Sequence, residues 1–201
     1  MSWIKIIPFN EAQGKLKRLY QKVTGPSNNV DNIMMVHGLR PHTMTGHMSL
    51  YKNVLHNSNN TLPKWYLETI GVFVSFLNNC DYCVDHHYEG LKRLLDNDAK
   101  ASEIKESLIA KKYGSNLIEK FSEGLKYAEK LTKEAHKLTK LDIEKLTEKG
   151  LTDGEVLEIN QVVSYFNYAN RTVLGLGVST EGDILGLSPN NSEEEENWSH
   201  Q

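Results

Sequence analysis

Cys80 and Cys83 are the only cysteines of the chain, and they stand as a C-x-x-C. His87 follows Cys83 by four residues with His86 beside it, and Glu68 stands twelve residues ahead of Cys80 in an otherwise apolar run. Two thiols, two imidazoles and a carboxylate so close together point to thiol redox chemistry. A free thiol has a pKa of about 8.5 and is mostly protonated at neutral pH. A base must therefore remove its proton, and Glu68 and His87 are the candidates. The thiolate can then attack the O–O bond of a peroxide and become a sulfenic acid, which the neighbouring cysteine condenses to a disulfide. An external dithiol resets the pair by exchange.

Two helices must position these groups. The first, about Pro63–Leu77, is apolar nearly all round, with Trp65, Leu67, Ile70, Val72 and Phe73 among its residues. Its length favours a buried helix over a strand. Asn78 and Asn79 offer a break and a cap for the second, about Cys80–Leu95, whose core face is Leu91, Leu94 and Leu95. With Asn79 as cap, Cys80 falls in the first turn, where free N–H groups and the positive end of the helix dipole favour a thiolate. Cys83 at i+3 and His87 four residues further share one stripe, and His86 is rotated off it. Glu68 lies about 15 Å before the break and His87 about 13 Å after it. A helical hairpin therefore brings Glu68 level with His87 and one turn from Cys83. A carboxylate in an apolar helix needs such a partner.

The remaining chain reads as further helices. They cover about Asn10–Val23, Asn32–His37 with Asp31 as cap, Pro41–Leu55, Lys100–Tyr113, Leu117–Leu131 and Asp142–Lys149. A long helix follows Thr152, with Glu155 three residues on as a capping box. No turn signal of a hairpin appears between alternating runs, so the fold class is all-α. Val74–Asn78 echoes Val163–Asn167, 89 residues later, a hint of two related helical halves. The length of 201 residues favours one domain over 1–190, followed by an acidic, solvated tail over 191–201 with Trp198 as a terminal anchor.

The composition, 39% hydrophobic and 24% charged, is that of a soluble globular protein. A net charge of −3 without a basic block argues against nucleic acid as partner. No apolar run reaches membrane-spanning length, and the N-terminus lacks the features of a secretory signal. The expected compartment is the reducing cytoplasm, where a C-x-x-C is redox-active or metal-binding rather than a structural staple.

Other readings stand beside this one. Cys80 and Cys83 with His87 or His86 have the donor set of a Cys₂His₂ zinc site, but the second ligand pair of a finger is missing and both imidazoles share the cysteines' helix. The cysteines can be inert core residues, and Glu68 a satisfied buried acid. Tyr82 reads as packing. His37, His42, His47 and His56, spaced by five, five and nine, stack on no single helical face and read as polar or packing residues. Met34, Met35, Met44 and Met48 fill core or line an apolar pocket.

Glu68, Cys80, Cys83 and His87 together spell E-x(11)-C-x-x-C-x-x-x-H. This resembles the signature of AhpD-like alkylhydroperoxidases in the carboxymuconolactone decarboxylase superfamily. The stretches HGLRPHTMTGHMSLY, VSFLNNCDYCVDHH and VVSYFNYANRTVLGLGV resemble its longer, peroxidase-related branch. The resemblance implies an AhpD-like all-α bundle, a homo-oligomer (dimer, trimer or hexamer), and cofactor-free, metal-free reduction of hydroperoxides by a cysteine pair. By position it makes Cys83 the peroxidatic cysteine, Cys80 the resolving one, and Glu68 and His87 the proton relay. It implies an external dithiol reductant of lipoyl type. The family has a His immediately before the second cysteine; here that position is Tyr82, whose phenol near pKa 10 cannot shuttle protons at neutral pH. The relay is then Glu68–His87 alone, or His86 substitutes. Lactone decarboxylation, general C-x-x-C disulfide exchange and a zinc or redox-sensing scaffold are the competing functions.

Overall fold

The computed structural model describes residues 2–115, 117–189 and 197–200. Among them are nine α-helices, α1 (Gly14–Val23), α2 (Asn32–Met35), α3 (Pro41–Leu55), α4 (Lys64–Leu77), α5 (Asp81–Leu95), α6 (Asp98–Ile109), α7 (Glu119–Glu134), α8 (Lys140–Glu148) and α9 (Asp153–Leu176). No strand occurs among the described residues, and the fold is all-α.

The helix that reads as apolar all round is the one the others enclose. α4 is buried from Tyr66 to Ser75 and packs on α5, α9 and α7. Burying that many apolar side chains is the main driving force for the bundle. α9 starts at the expected capping box: the Thr152 hydroxyl accepts the Glu155 N–H, and the Glu155 carboxylate accepts the Thr152 N–H. Its 24 residues end at Gly177, whose φ of 60° closes the helix. The echoed strings of α4 and α9 meet face to face, where the Asn78 amide donates to the Asn167 Oδ1 at 3.1 Å.

Several boundaries differ from expectation; α6 ends at Ile109 rather than Tyr113, and α7 runs from Glu119 to Glu134 rather than from Leu117 to Leu131. The sequence predicts a helix from Asn10; the chain instead turns at Pro8, whose carbonyl accepts the Glu11 and Ala12 N–H groups, and α1 starts at Gly14 with φ 53°. The acid run of the expected tail lies outside the described residues. Asn197–His200, by contrast, is not solvated tail. Trp198 is buried in the main core, His200 bridges to Pro189, and the Lys52 ammonium donates to the Asn197 carbonyl at 2.8 Å.

One glycine governs how α9 reaches the site. A Cβ on Gly71 of α4 would lie 2.2 Å from the Phe166 ring of α9. The ring needs that space, and it makes a T-shaped contact with His87 (centroids 4.5 Å apart, planes at 82°). Gly71→Ala is expected to cost about 1–3 kcal/mol by overpacking. Thermal or denaturant unfolding of the variant checks it.

Candidate active site

The α4–α5 joint sets the two thiols. Asn79 is left-handed (φ 56°), and the N–H groups of Asn79 and Cys80 bond the carbonyls of Phe76 (3.0 Å) and Ser75 (2.9 Å). This is a Schellman closure of α4, for which asparagine is the usual substitute for glycine. Asn79 therefore ends the first helix rather than capping the second. The N-cap position of α5 falls to Cys80, and Cys83 sits one turn inside.

Folding α5 back along α4 brings Glu68 to His87, with Glu68 Oε2 2.8 Å from His87 Nδ1. The carboxylate is buried and so is kept by this bond. His87 makes T-shaped contacts with both Phe166 and Tyr51, which hold its ring plane.

Both cysteines are free and buried, Cys80 completely and Cys83 at 3% exposure. The two thiols are neighbours and couple to one another through a hydrogen bond between them. The Cys83 thiol beside it draws Cys80 below its ordinary value, against burial. Burial pushes Cys83 well above its ordinary value, and the bond to Cys80 adds to this. The Asn170 amide of α9 also bonds Cys83 and works the other way. Asn170 is itself fully buried and pinned, donating to Ser75 Oγ (3.1 Å) and accepting from Asn78 (2.9 Å). Acidity and access are thus divided: Cys80 ionises more readily, but only Cys83 faces the cavity.

That cavity has a volume of about 40 Å³, and Cys83, Glu68, His86 and His87 all lie on its wall. Cys80 is not on the wall; it sits behind Cys83 among Val36, Val173 and Val178. Tyr51 and Tyr165, stacked at 5.2 Å, form an aromatic side. His47 and His200 also reach the wall, although sequence spacing gives His47 only a packing role. Burial holds His47 at about 3 and His200 at about 4, and it lowers His37 and His56 as well. The described wall carries no lysine or arginine.

Tyr82 and His86 belong to a second polar cluster. The Tyr82 hydroxyl accepts the Ile33 N–H (3.2 Å) and donates to Asp183 Oδ2 (2.7 Å). His86 Nε2 contacts the same oxygen at 3.1 Å. Tyr82 is therefore a pin between α5, the start of α2 and the segment after α9, which agrees with its reading as packing. Asp183 is delivered by that segment, held because the Asn32 amide donates to the carbonyls of Ser179 (2.8 Å) and Glu181 (2.9 Å). Asp183, Asn170, Tyr51 and Tyr165 are site residues the sequence does not single out. Only Asn170, a polar residue inside the apolar face of a long helix, carries a signal there. Among the described residues no group of three or more His, Cys, Asp and Glu side chains is arranged to hold a metal ion. No helix among them is long and apolar enough to cross a membrane.

The chain has the all-α fold of AhpD-like proteins, with a buried dithiol at its α4–α5 joint. The chain is similar to a Ralstonia eutropha protein described as an alkylhydroperoxidase AhpD core, peroxidase-related, with 21% identity over 92% of this chain and 96% of that one and a TM-score of 0.77. It is also similar to a peroxidase-related protein of a Silicibacter species, at 21% identity, 92% coverage of both chains and a TM-score of 0.70. A variant of the debrominase Bmp8 in complex with 2,3,4-tribromopyrrole shares the fold at 15% identity, covering 89% of this chain and 93% of that one, with a TM-score of 0.69. No family model and no curated protein matches the sequence.

Proposed function

We propose that this is an AhpD-like thiol peroxidase that reduces small neutral hydroperoxides through a Cys80/Cys83 dithiol–disulfide cycle. One observation carries the reading: Cys83 shares its cavity wall with the Glu68–His87 pair, whose 2.8 Å contact is ready to take a proton. The Glu68–His87 pair removes one proton from the two thiols. The proton that remains lies in the bond between the sulfurs, so it can pass to Cys80 and leave the charge on Cys83. Cys83 attacks, because it alone meets the substrate. Cys80, behind it, closes the disulfide and releases water.

Burial of both thiols favours this over disulfide exchange with proteins, since a peroxide or a slender dithiol such as a lipoyl arm enters where a folded partner does not. The wall also selects substrate. It presents the Glu68 carboxylate, carries no lysine or arginine among the described residues, and keeps His47 and His200 neutral near pH 7. Like-charge contact is costly where water is excluded. With a dithiol donor, cumene hydroperoxide is expected to be consumed with a kcat/KM about tenfold or more above that of an aliphatic hydroperoxide bearing a carboxylate. Comparable rates for the two would remove the neutral-substrate assignment, and no turnover of either would remove the peroxidase.

The aromatic side made by Tyr51 and Tyr165 supports a second reading, reductive dehalogenation of a flat aryl halide. A cavity of about 40 Å³ holds roughly three water centres, which suits the peroxide end of a substrate better than a polybrominated ring. Bromide release from a bromopyrrole under the same dithiol conditions would reverse that preference.

A further inference from the structure

The cavity contains a carboxyl group for which the Glu68–His87 chemistry has no use. Asp31 is 8% exposed and lies on the wall with Cys83. It occupies the N-cap position of α2, where an aspartate ordinarily turns its carboxylate onto the free N–H groups of the first turn. Here it makes no such bond. Asp183 takes the first-turn N–H of Asn32 instead, through both carboxylate oxygens at 3.0 and 3.1 Å. The capping role that the sequence gives Asp31 has thus passed to a residue from the other end of the chain. Among the described residues the Asp31 carboxyl accepts no hydrogen bond, and the basic group within ion-pair distance is His200, Nε2 at 4.0 Å.

We infer that Asp31 is the general acid of the peroxide reaction, handing its proton to the oxygen that departs when the Cys83 thiolate breaks the O–O bond. This rests on the peroxidase reading above. A buried carboxyl without donors around it favours its neutral form. Burial raises Asp31 to about 7, with His86 pulling it down and Asp183 pushing it up. Glu68 and His87 are assigned to the thiol proton, and the polar groups around Asp31 are committed elsewhere. Tyr82 and His86 are engaged with Asp183, and His200 is held neutral.

The Cys83 thiolate attacks the terminal oxygen of R–O–OH, an S–O bond forms and the O–O bond breaks. Sulfur is oxidised by two electrons and the peroxide is reduced by two. The departing RO⁻ takes the Asp31 proton and leaves as ROH, while Cys83 keeps the hydroxyl as sulfenic acid. The proton earlier taken up by Glu68 and His87 returns to Asp31 through solvent. Disulfide closure with Cys80 releases water and needs no further proton.

Two substrates of opposite leaving-group basicity test the assignment. tert-Butyl hydroperoxide expels a strongly basic alkoxide that needs a proton, and peracetic acid expels acetate, which does not. At pH 6, Asp31→Asn should slow turnover of tert-butyl hydroperoxide by about 10²-fold or more. Peracetic acid should suffer much less, so that the ratio of the two rates falls by about tenfold or more. Independently of the variant's folding, the wild type should show a larger solvent deuterium isotope effect on the alkyl substrate than on the peracid. Equal slowing of both substrates, or equal isotope effects, overturns Asp31 as the acid and leaves the thiol chemistry standing. A wild-type protein that consumes neither substrate overturns the peroxidase reading and the role of Asp31 with it.

Discussion

Cys83→Ser is expected to abolish dithiol-dependent hydroperoxide consumption, whereas Cys80→Ser is expected to complete one oxidation and stop. The asymmetry follows from position. Cys83 lies on the cavity wall, and Cys80 is wholly buried behind it. A serine at 83 presents a hydroxyl that does not attack peroxide, and the remaining thiol has no route to the substrate. With serine at 80, Cys83 still meets the peroxide but nothing condenses with the sulfenic acid. Mass spectrometry should then find one added oxygen on Cys83 after one equivalent of hydroperoxide. The bond between the two sulfurs adds a kinetic signature. Cys80 is the partner that can hold the Cys83 proton, so Cys80→Ser should also slow the first oxidation, by about tenfold or more if that proton must go to a weaker acceptor. An oxidised Cys80 in the Cys83→Ser protein would reverse the two roles.

Glu68→Gln should lower kcat by about 10²-fold or more at neutral pH with little change in KM. Glutamine keeps the shape of the side chain and can still accept a hydrogen bond from His87 Nδ1. It therefore preserves the ring orientation fixed by Phe166 and Tyr51. What it loses is the ability to hold a proton. Burial raises the Cys83 thiol well above its ordinary value, so the thiolate is scarce without that base. The variant's rate should then climb about tenfold per pH unit above neutrality, where solvent hydroxide does the work instead. A pH profile parallel to that of the wild type, at any level, would give Glu68 a structural role only.

Helical arithmetic carries far in this chain because α4 and α5 are regular and adjacent. Counting rise on either side of Asn78 and Asn79 is enough to place Glu68 opposite His87, since nothing between them departs from a simple hairpin. The same arithmetic misses by one position at the joint. Asparagine is as good a left-handed helix end as it is an N-cap, and only the backbone at Asn79 decides between the two. Asp183 is beyond such counting altogether. It stands in an irregular segment without period, and what brings it to His86 is the grip of Asn32 on the carbonyls of Ser179 and Glu181. Asp31 shows the converse: its position predicts a cap correctly, and its side chain is released because a distant carboxylate does the capping. His47 and His200 look unrelated in sequence, yet both reach one wall, His47 from α3 and His200 from a segment tied to α3 by the Lys52–Asn197 bond. Local pattern thus fixes the α4–α5 half of the cavity, and long-range contacts supply the half facing it.

One equivalent of hydroperoxide is expected to convert the Cys80/Cys83 dithiol to a disulfide. The most direct test is to treat the fully reduced wild-type protein with one equivalent of cumene hydroperoxide, count free thiols, and map the product by mass spectrometry. The expected result is loss of both thiols, a Cys80–Cys83 disulfide, one equivalent of cumyl alcohol, and return of both thiols on adding a dithiol. Two thiols still free, with the hydroperoxide unconsumed, would contradict it.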